Sequence, residues 1–535
     1  MDGRPSRQLP RVLSSTKEVP PSDSGHGHGD ATVTNNSVYS PDEIHRANKR
    51  VLLKTDLTVL PLMCVIIMLQ YLDKAILSYA ALLGLTQDLQ LISNEYSWAA
   101  SIYYFGMLAG LPIWWLLLQR VSLAAVVGGA VSIWGAVAMC HAACHDYSGI
   151  LAARFFLGFF EAAIVPAFII LVGRAYTKKE TISRTAIWYS FNGVALIIGG
   201  GVSHGLLTSR SAATASVAIW RQLYLILGGI TIFVGLLAAF VVPLDPTRSR
   251  LYTERERIAA PYRDTHLAAS NIAQETHDYR RMLKDAAEAL LDPRLYIIFL
   301  GLTLGSIPNG GVTAYSLQLI SGFGFPVGQS LLLTLAPGGC QVVSVITFIG
   351  VALFTRSRAI GGIVLLAVAI VGAALMYSAT VGKAVHMVGY TLLNFGSPAV
   401  VALYSFNSAA VGSHGKRVVF AVVAQVAYAA GNIIGPLTFL AQETPVYRTA
   451  KIIIIATLCG AALSLALIYG IHTFWNMQRD KAGYPAAVEV QSGQSKNQIK
   501  ETATPEESGI VQGGAASELQ HEPTDFKDKT FRYVL

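Results

Sequence analysis

Four charged residues lie inside long apolar stretches of the chain: Asp73, Lys74, Arg154 and Glu161. A charge at the centre of a bilayer-spanning helix costs about 2.5–3.5 kcal/mol on insertion scales, so such residues stand out as sites of chemistry. Arg154 and Glu161 are seven residues apart, close to two helical turns, and should point the same way. Gly158 sits between them on nearly the same face, where it lets a neighbouring helix come close. A carboxyl group at low dielectric can load and release protons near neutral pH, which makes Glu161, and with it Asp73, a candidate for proton coupling. A guanidinium binds a carboxylate through two parallel hydrogen bonds, which makes Arg154 a candidate anion clamp. Asp73 and Lys74 are expected at about the depth of Arg154. An Asp73–Arg154 ion pair is then within reach, and Lys74 with Arg154 could instead form a positive patch that attracts an anion. The bland alternative is that all four only pin helices together as buried pairs.

Neutral polar residues in the second half of the chain form a second group of candidates. Asn309 leads it, because Pro308 and Gly310-Gly311 should break the helix around it and expose backbone groups. Tyr315, Gln341, Asn394, Gln425, Tyr428 and Asn432 follow, with Tyr189, Asn192 and His204 from the first half. Of these, Asn192, Asn309, Asn394 and Gln425 join Arg154 and Lys74 as the expected substrate contacts. Any one of them, taken alone, is more often a helix-packing hydrogen bond than a ligand contact.

The elements that must carry these residues follow from composition. Of 535 residues, 53% are hydrophobic and 13% charged, about half the charge of an ordinary soluble domain. A bilayer core about 30 Å thick needs roughly 20 apolar residues in helix. Such runs occur at 56–78, 95–117, 123–144, 148–173, 184–208 and 220–243, then at 294–318, 327–354, 359–380, 384–408, 417–440 and 450–474. The fold class is therefore an all-α membrane protein with twelve transmembrane helices in two six-helix bundles, residues 51–243 and 294–475. Arg46, Lys49, Arg50 and Lys54 before the first span, and Arg479 and Lys481 after the last, put both termini in the cytoplasm. The tails, 1–50 and 476–535, read as disordered, without a cleavable signal peptide. The basic segment 244–293 reads as a cytoplasmic loop, either solvated or forming short amphipathic helices on the membrane surface.

The net charge of +8 is scattered over short loops and this segment, a pattern for membrane topology and anionic lipid rather than for nucleic acid. Five cysteines and the His26/His28 pair show no metal-ligand spacing, so no metal is expected. No span holds a catalytic cluster or nucleophile elbow, and no loop holds a phosphate-binding glycine motif, so an enzyme is not expected.

Several segments in order resemble one branch of the major facilitator superfamily, the anion:cation symporters, and within it the fungal allantoate permease group. They are Tyr71-Leu72-Asp73-Lys74-Ala75, Tyr96-Ser97-Trp98, Tyr104-Phe105-Gly106, Gln119-Arg120, Arg154-Phe155-Phe156-Leu157-Gly158-Phe159-Phe160-Glu161, Lys416-Arg417, Gly431-Asn432-Ile433-Ile434-Gly435-Pro436 and Pro445-Val446-Tyr447. The resemblance covers nearly all of residues 50–475. It implies proton-coupled symport of a small organic anion (a carboxylate, ureide or vitamin-like molecule) by alternating access. The proton gradient would supply the energy and no cofactor is needed. It matches Arg154 and Glu161 to the family's intramembrane pair and Asp73-Lys74 to its first-span polar pair. The general gating motif survives only as Arg120, since Val121-Ser122-Leu123-Ala124-Ala125 carries no charge. The chain reads as a monomer of the plasma membrane. Two other functions fit the same layout: export of a secondary metabolite from a fungal biosynthetic pathway, and a non-transporting nutrient sensor. Span five lacks the Gly-Pro of drug–proton antiporters, which argues against that class of exporter.

Overall fold

The computed structural model describes residues 41–209, 216–242, 252–254, 256, 279–378, 382–409, 413–483 and 533. The expectations for residues 1–40, for 484–532 and for most of 243–278 lie outside the described residues. Residues 1–46 and 47–535 form two compact units. Of the first, residues 41–46 are described and are helical.

Among the described residues, twelve helices are long and apolar enough to cross a membrane. They are α1 (Arg46–Leu82), α2 (Glu95–Arg120), α3 (Leu123–Ala143), α4 (Tyr147–Gly173), α5 (Ser183–Thr208), α6 (Ile219–Val241), α7 (Pro293–Gly322), α8 (Val327–Thr355), α9 (Arg358–Tyr377), α10 (Lys383–Phe406), α11 (Gly415–Leu437) and α12 (Arg448–Lys481). Each matches one of the apolar runs. Large apolar side chains such as Phe233, Phe240, Ile346 and Leu463 point outward from the bundle, as a lipid solvent requires. Within the segment expected as a loop, Tyr279–Leu290 is a helix with its apolar residues on one side.

Prolines set where the spans bend. A proline removes one N–H and its ring clashes with the carbonyl four residues earlier. Pro166 thereby ends the first part of α4 at Glu161, and helix resumes at Ile164. Pro398 does the same in α10, where Asn394–Gly396 tightens into a 3-10 turn. Pro308, by contrast, leaves α7 helical: the break falls at Tyr315, with φ −110° and ψ 16°. The break expected around Asn309 is therefore displaced by almost two turns. Gly310 and Gly311 serve contact instead of bending. A Cβ at Gly310 would lie 2.7 Å from the Asn432 backbone of α11.

The halves meet along two helix pairs, α2 with α11 and α5 with α8. Adding six to each number exchanges the two pairs, so the contact respects the repeat. Among the described residues, most cross-half hydrogen bonds gather at the end remote from the start of α1 and the end of α12. There the Ser78 hydroxyl donates to Gln318 (2.9 Å) and accepts from the Ser316 hydroxyl and the Leu317 N–H (3.0 Å each). The Tyr96 hydroxyl donates to the Ala314 carbonyl (2.6 Å), Ser97 shares a hydrogen bond with Tyr315 (2.7 Å), and Ser101 donates to the Ile433 carbonyl (2.8 Å). The break at Tyr315 belongs to this seal. It lets the Tyr315 ring stack on Phe439, with centroids 4.4 Å apart.

At the opposite end, the start of the central segment packs on the first half. The Tyr252 hydroxyl bonds Thr55 (2.7 Å) and Glu256 takes Lys54 (2.6 Å). Burial alone would push the Glu256 carboxyl up. Lys54 and the Thr253 N–H more than offset this and hold it below its ordinary range.

Candidate functional site

One turn below Ser78, α1 presents Lys74 to α4. Its ammonium lies 3.2 Å from Glu161 Oε1, and the Glu161 side chain is fully buried. Glu161 can be reached because α2 and α4 approach closely, as expected from Gly158: a Cβ there would lie 1.9 Å from the Tyr103 carbonyl oxygen. The Tyr103 ring lies under both the Lys74 ammonium and the Arg154 guanidinium, at 5.7 Å from each, where its negative face favours cations.

Asp73 faces elsewhere. The Trp134 indole of α3 donates to its Oδ2 at 2.6 Å. The ion pair envisaged between Asp73 and Arg154 is not formed. Arg154 Nη1 donates to the Asp73 backbone carbonyl (3.1 Å) and Nε to the Ala99 carbonyl (3.3 Å), with the residue 3% exposed. The reason is angular. Neighbouring residues on a helix point about 100° apart, so α1 cannot offer both Asp73 and Lys74 to α4. Lys74 takes α4, Asp73 takes α3, and Arg154 settles on main chain.

Beside this cluster, across the centre of the molecule, lies an open cavity. Tyr71 of α1, one turn from Lys74, forms one wall. Asn309, Thr313 and Ser316 of α7 and Tyr390, Asn394 and Ser397 of α10 supply the other polar groups. Of the amides singled out from sequence, Asn309 and Asn394 line the cavity. Asn394 also donates to the Tyr390 carbonyl (3.0 Å) across its broken turn. Asn192 is buried on α5 and Gln425 half-buried on α11, and neither belongs to this wall. Arg120 ends α2, exposed to solvent.

Sequence reasoning missed Trp134 and the cavity residues Tyr71, Thr313, Ser316, Tyr390 and Ser397. Tyr71 carried a signal: it precedes Lys74 by three, and so shares its face. Tyr428 bridges the halves. Its ring meets Tyr104 of α2 edge-on at 6.2 Å and Tyr404 of α10 at 6.2 Å.

A mid-membrane cavity between two six-helix halves, with charge on one side of it, is the plan of a secondary transporter. A family model described as the Major Facilitator Superfamily matches residues 63–436. The chain belongs to this superfamily. Among its relatives, an uncharacterized transporter of Schizosaccharomyces pombe is 31% identical over 84% of this chain and 87% of its own. The allantoate permease of Saccharomyces cerevisiae is 28% identical over 90% and 86%. The thiamine pathway transporter THI73 of the same yeast is 29% identical over 82% of each chain. Among solved structures, the xylose transporter XylE from E. coli, in a partially occluded inward-open conformation, shares the fold. Its TM-score is 0.56 at 11% identity, covering 79% of this chain and 98% of that one. A bacterial homolog of the human lysosomal transporter Spinster gives a TM-score of 0.54 at 16% identity, over 78% and 96%. The likeness to the allantoate permease group is thus borne out over most of the facilitator's length. Its family and relatives are transport proteins, not enzymes.

Proposed function

We propose that this facilitator is a proton-coupled symporter of a small organic anion, working as a monomer in the plasma membrane with both termini in the cytoplasm. The observation that carries this reading is the Lys74–Glu161 pair, 3.2 Å across with its carboxylate fully buried, one turn from the cavity wall at Tyr71. A carboxylate and an ammonium in such contact neutralise each other. A proton on Glu161 removes the negative partner and leaves Lys74 as an uncompensated cation beside the cavity. An anionic substrate then supplies the missing charge. When the substrate leaves, the uncompensated Lys74 ammonium favours the carboxylate form of Glu161, the Glu161 proton passes to water on the side where the substrate left, and the pair re-forms. One proton and one anion therefore travel together, because either alone leaves a buried charge unpaired.

Lys74 in this reading is the cation that the substrate meets. Arg154, on two main-chain carbonyls, fixes α1 against α4. Asp73 is held in reserve by Trp134 as a second acid. The cavity's amides and hydroxyls suit a polar body such as a ureide. The relative named for allantoate supports that class. With the termini in the cytoplasm, the seal from Ser78 to Tyr315 closes the outer side, and the state is inward-facing.

The test uses cells lacking related permeases, supplied with labelled allantoate and a panel of small carboxylates, with and without a proton gradient. Accumulation abolished by an uncoupler is expected. Glu161→Gln should keep substrate exchange and lose proton-driven accumulation. Normal accumulation in that variant would sink the proton-carrier role, and export without uptake would favour the metabolite exporter.

A further inference from the structure

Lys451 lies in the first turn of α12, at the end of the bundle that carries the seal. It is drawn inside the second half and is 7% exposed. The neighbouring Ile452 is exposed on the outer surface of the bundle, and a helix turns about 100° per residue. Lys451 therefore points away from lipid, toward the end of α7. Its ammonium lies over the Phe323 ring, 5.4 Å from the centroid. His386 of α10 braces that ring, stacked at 5.3 Å with planes at 17°, while its Nε2 donates to the Ser378 carbonyl at 2.8 Å. Among the described residues no carboxylate meets Lys451. A ring face offsets only part of the cost of burying a cation. Two residues along the same loop, the Phe325 ring carries the Lys383 ammonium, 5.2 Å from its centroid. Lys383 is exposed.

Charge at this end of the molecule is divided between the halves. Among the described residues, the first half presents Asp88, Glu95 and Asp146 there, against Arg221, which lies 3.8 Å from Asp88. The second half presents Lys383, Arg448 and Lys451 against Glu443. Glu443 is taken up by the Thr449 N–H and hydroxyl, and Arg448 donates to the Tyr377 hydroxyl at 3.3 Å. An anion arriving from this side is repelled by one half and drawn to the other. There it meets two ammonium groups that lie on ring faces instead of carboxylates.

We propose that Lys451, with Lys383 at its rim, forms a second anion site, separate from the central cavity, that takes a small free carboxylate. One buried cation calls for one negative charge, which a carboxylate supplies and a doubly charged phosphate exceeds. An ammonium meets that charge as a compact point charge with rotatable donors. The inward turn of Lys451 keeps the site from lipid headgroups. The site stands without the symport reading, since it binds its anion whether or not the Lys74–Glu161 pair carries one.

Fluorine NMR of trifluoroacetate, added to the full-length protein in phosphatidylcholine nanodiscs, tests this. Line broadening that titrates with the protein is expected. Lys451→Met should weaken the binding about tenfold, the loss of one charge-assisted hydrogen bond. It should melt no lower than the unaltered protein, because the charge it removes has no carboxylate to strand. Lys383→Ala, at an exposed position, should weaken the binding about twofold. The central site is silenced in a parallel Lys74→Met/Glu161→Gln protein, where broadening should persist and should still depend on Lys451. Absence of broadening, or broadening that survives both Lys451→Met and Lys383→Ala, overturns the site. Broadening that vanishes in the Lys74→Met/Glu161→Gln protein belongs to the central cavity, which overturns the second site and leaves the transport reading standing. Broadening that vanishes when phosphatidylglycerol replaces part of the phosphatidylcholine gives the site to a lipid headgroup and overturns it as well.

Discussion

Spans α4 and α10 hold the same place in the two halves and show how one backbone device serves two chemistries. In α4, Pro166 ends a helical stretch at Glu161; in α10, Pro398 tightens the turn at Asn394. Each break sets a polar side chain at mid-span, beside the centre of the molecule. The first half places a carboxylate there and gives it Lys74 at 3.2 Å. The second half places an amide there, on the wall of the cavity. The second half is not without buried charge. It keeps Asp292, Arg294 and Lys416 at the end of the bundle, in fixed mutual contact. A charge at mid-depth is expensive and repays its cost only if its partner can change. A charge at the end of a helix can be satisfied once and left alone.

This contrast can be broken most severely at Lys74. Lys74→Met leaves the Glu161 carboxylate in the interior with no close cation, which should cost about 3–5 kcal/mol. The double variant Lys74→Met/Glu161→Gln should regain most of that stability, because no charge is then stranded. Thermal melts of the purified proteins measure both. If the double variant melts no higher than the single one, the pair is not what holds α1 to α4. A smaller loss is expected from Trp134→Phe, which takes away the indole N–H that reaches Asp73 Oδ2 at 2.6 Å. A buried acceptor left unpaired costs about 1–3 kcal/mol. Combining it with Asp73→Asn should be non-additive, and strict additivity would show that the contact contributes nothing.

The twelve spans were legible because about 20 apolar residues in a row have few other uses. The four intramembrane charges were legible because they are expensive. Gly158 was legible from its place between two of them. The pairing was not. Sequence gives the depth of a residue along a helix, but not the azimuth of α1 against α3 and α4. Asp73 and Lys74 are adjacent, so a rotation of about 100° swaps their partners. The bend of α7 was misplaced for a related reason. Pro308 and two glycines suggest a break at Asn309, yet the helix continues through them because α11 packs against those glycines. The chain breaks at Tyr315, where the seal offers the freed Leu317 N–H a new acceptor in Ser78. The cavity's hydroxyls at Thr313, Ser316 and Ser397 could not be told from packing residues, since in sequence they have no feature that packing serine and threonine lack.

Substitutions on the cavity wall should separate affinity from coupling. Asn309→Ala and Asn394→Ala each remove a neutral contact from the second half. Each is expected to raise the KM for the transported substrate about tenfold, near 1.4 kcal/mol of binding, and to change stability by less than about 1 kcal/mol. The ratio of accumulation with and without a proton gradient should not move in either. A variant of either asparagine that loses gradient dependence would place coupling in both halves and erase the contrast.

The smallest expected effect lies in the loops, where the halves are alike. Asp146 caps α4 by accepting from the Gly149 N–H at 2.7 Å. Glu443 does the same for α12, accepting from the Thr449 N–H at 2.7 Å and from the Thr449 hydroxyl. The Gly149 N–H, with the Ser148 hydroxyl, holds the Asp146 carboxyl below its ordinary range, and Thr449 holds Glu443 below its own. A carboxyl whose value is lowered by folding contributes stability above its unfolded value, about 4 for these residues. That contribution fades as pH falls through the folded value. Asp146→Asn and Glu443→Gln should therefore lower the melting temperature near pH 7 by on the order of 1 °C each, and the difference from the unaltered protein should shrink as the pH drops below 4. Because both groups face water, the two shifts should be similar and should weaken with added salt. A large shift from only one of them would mean that the likeness of the halves ends at the membrane surface.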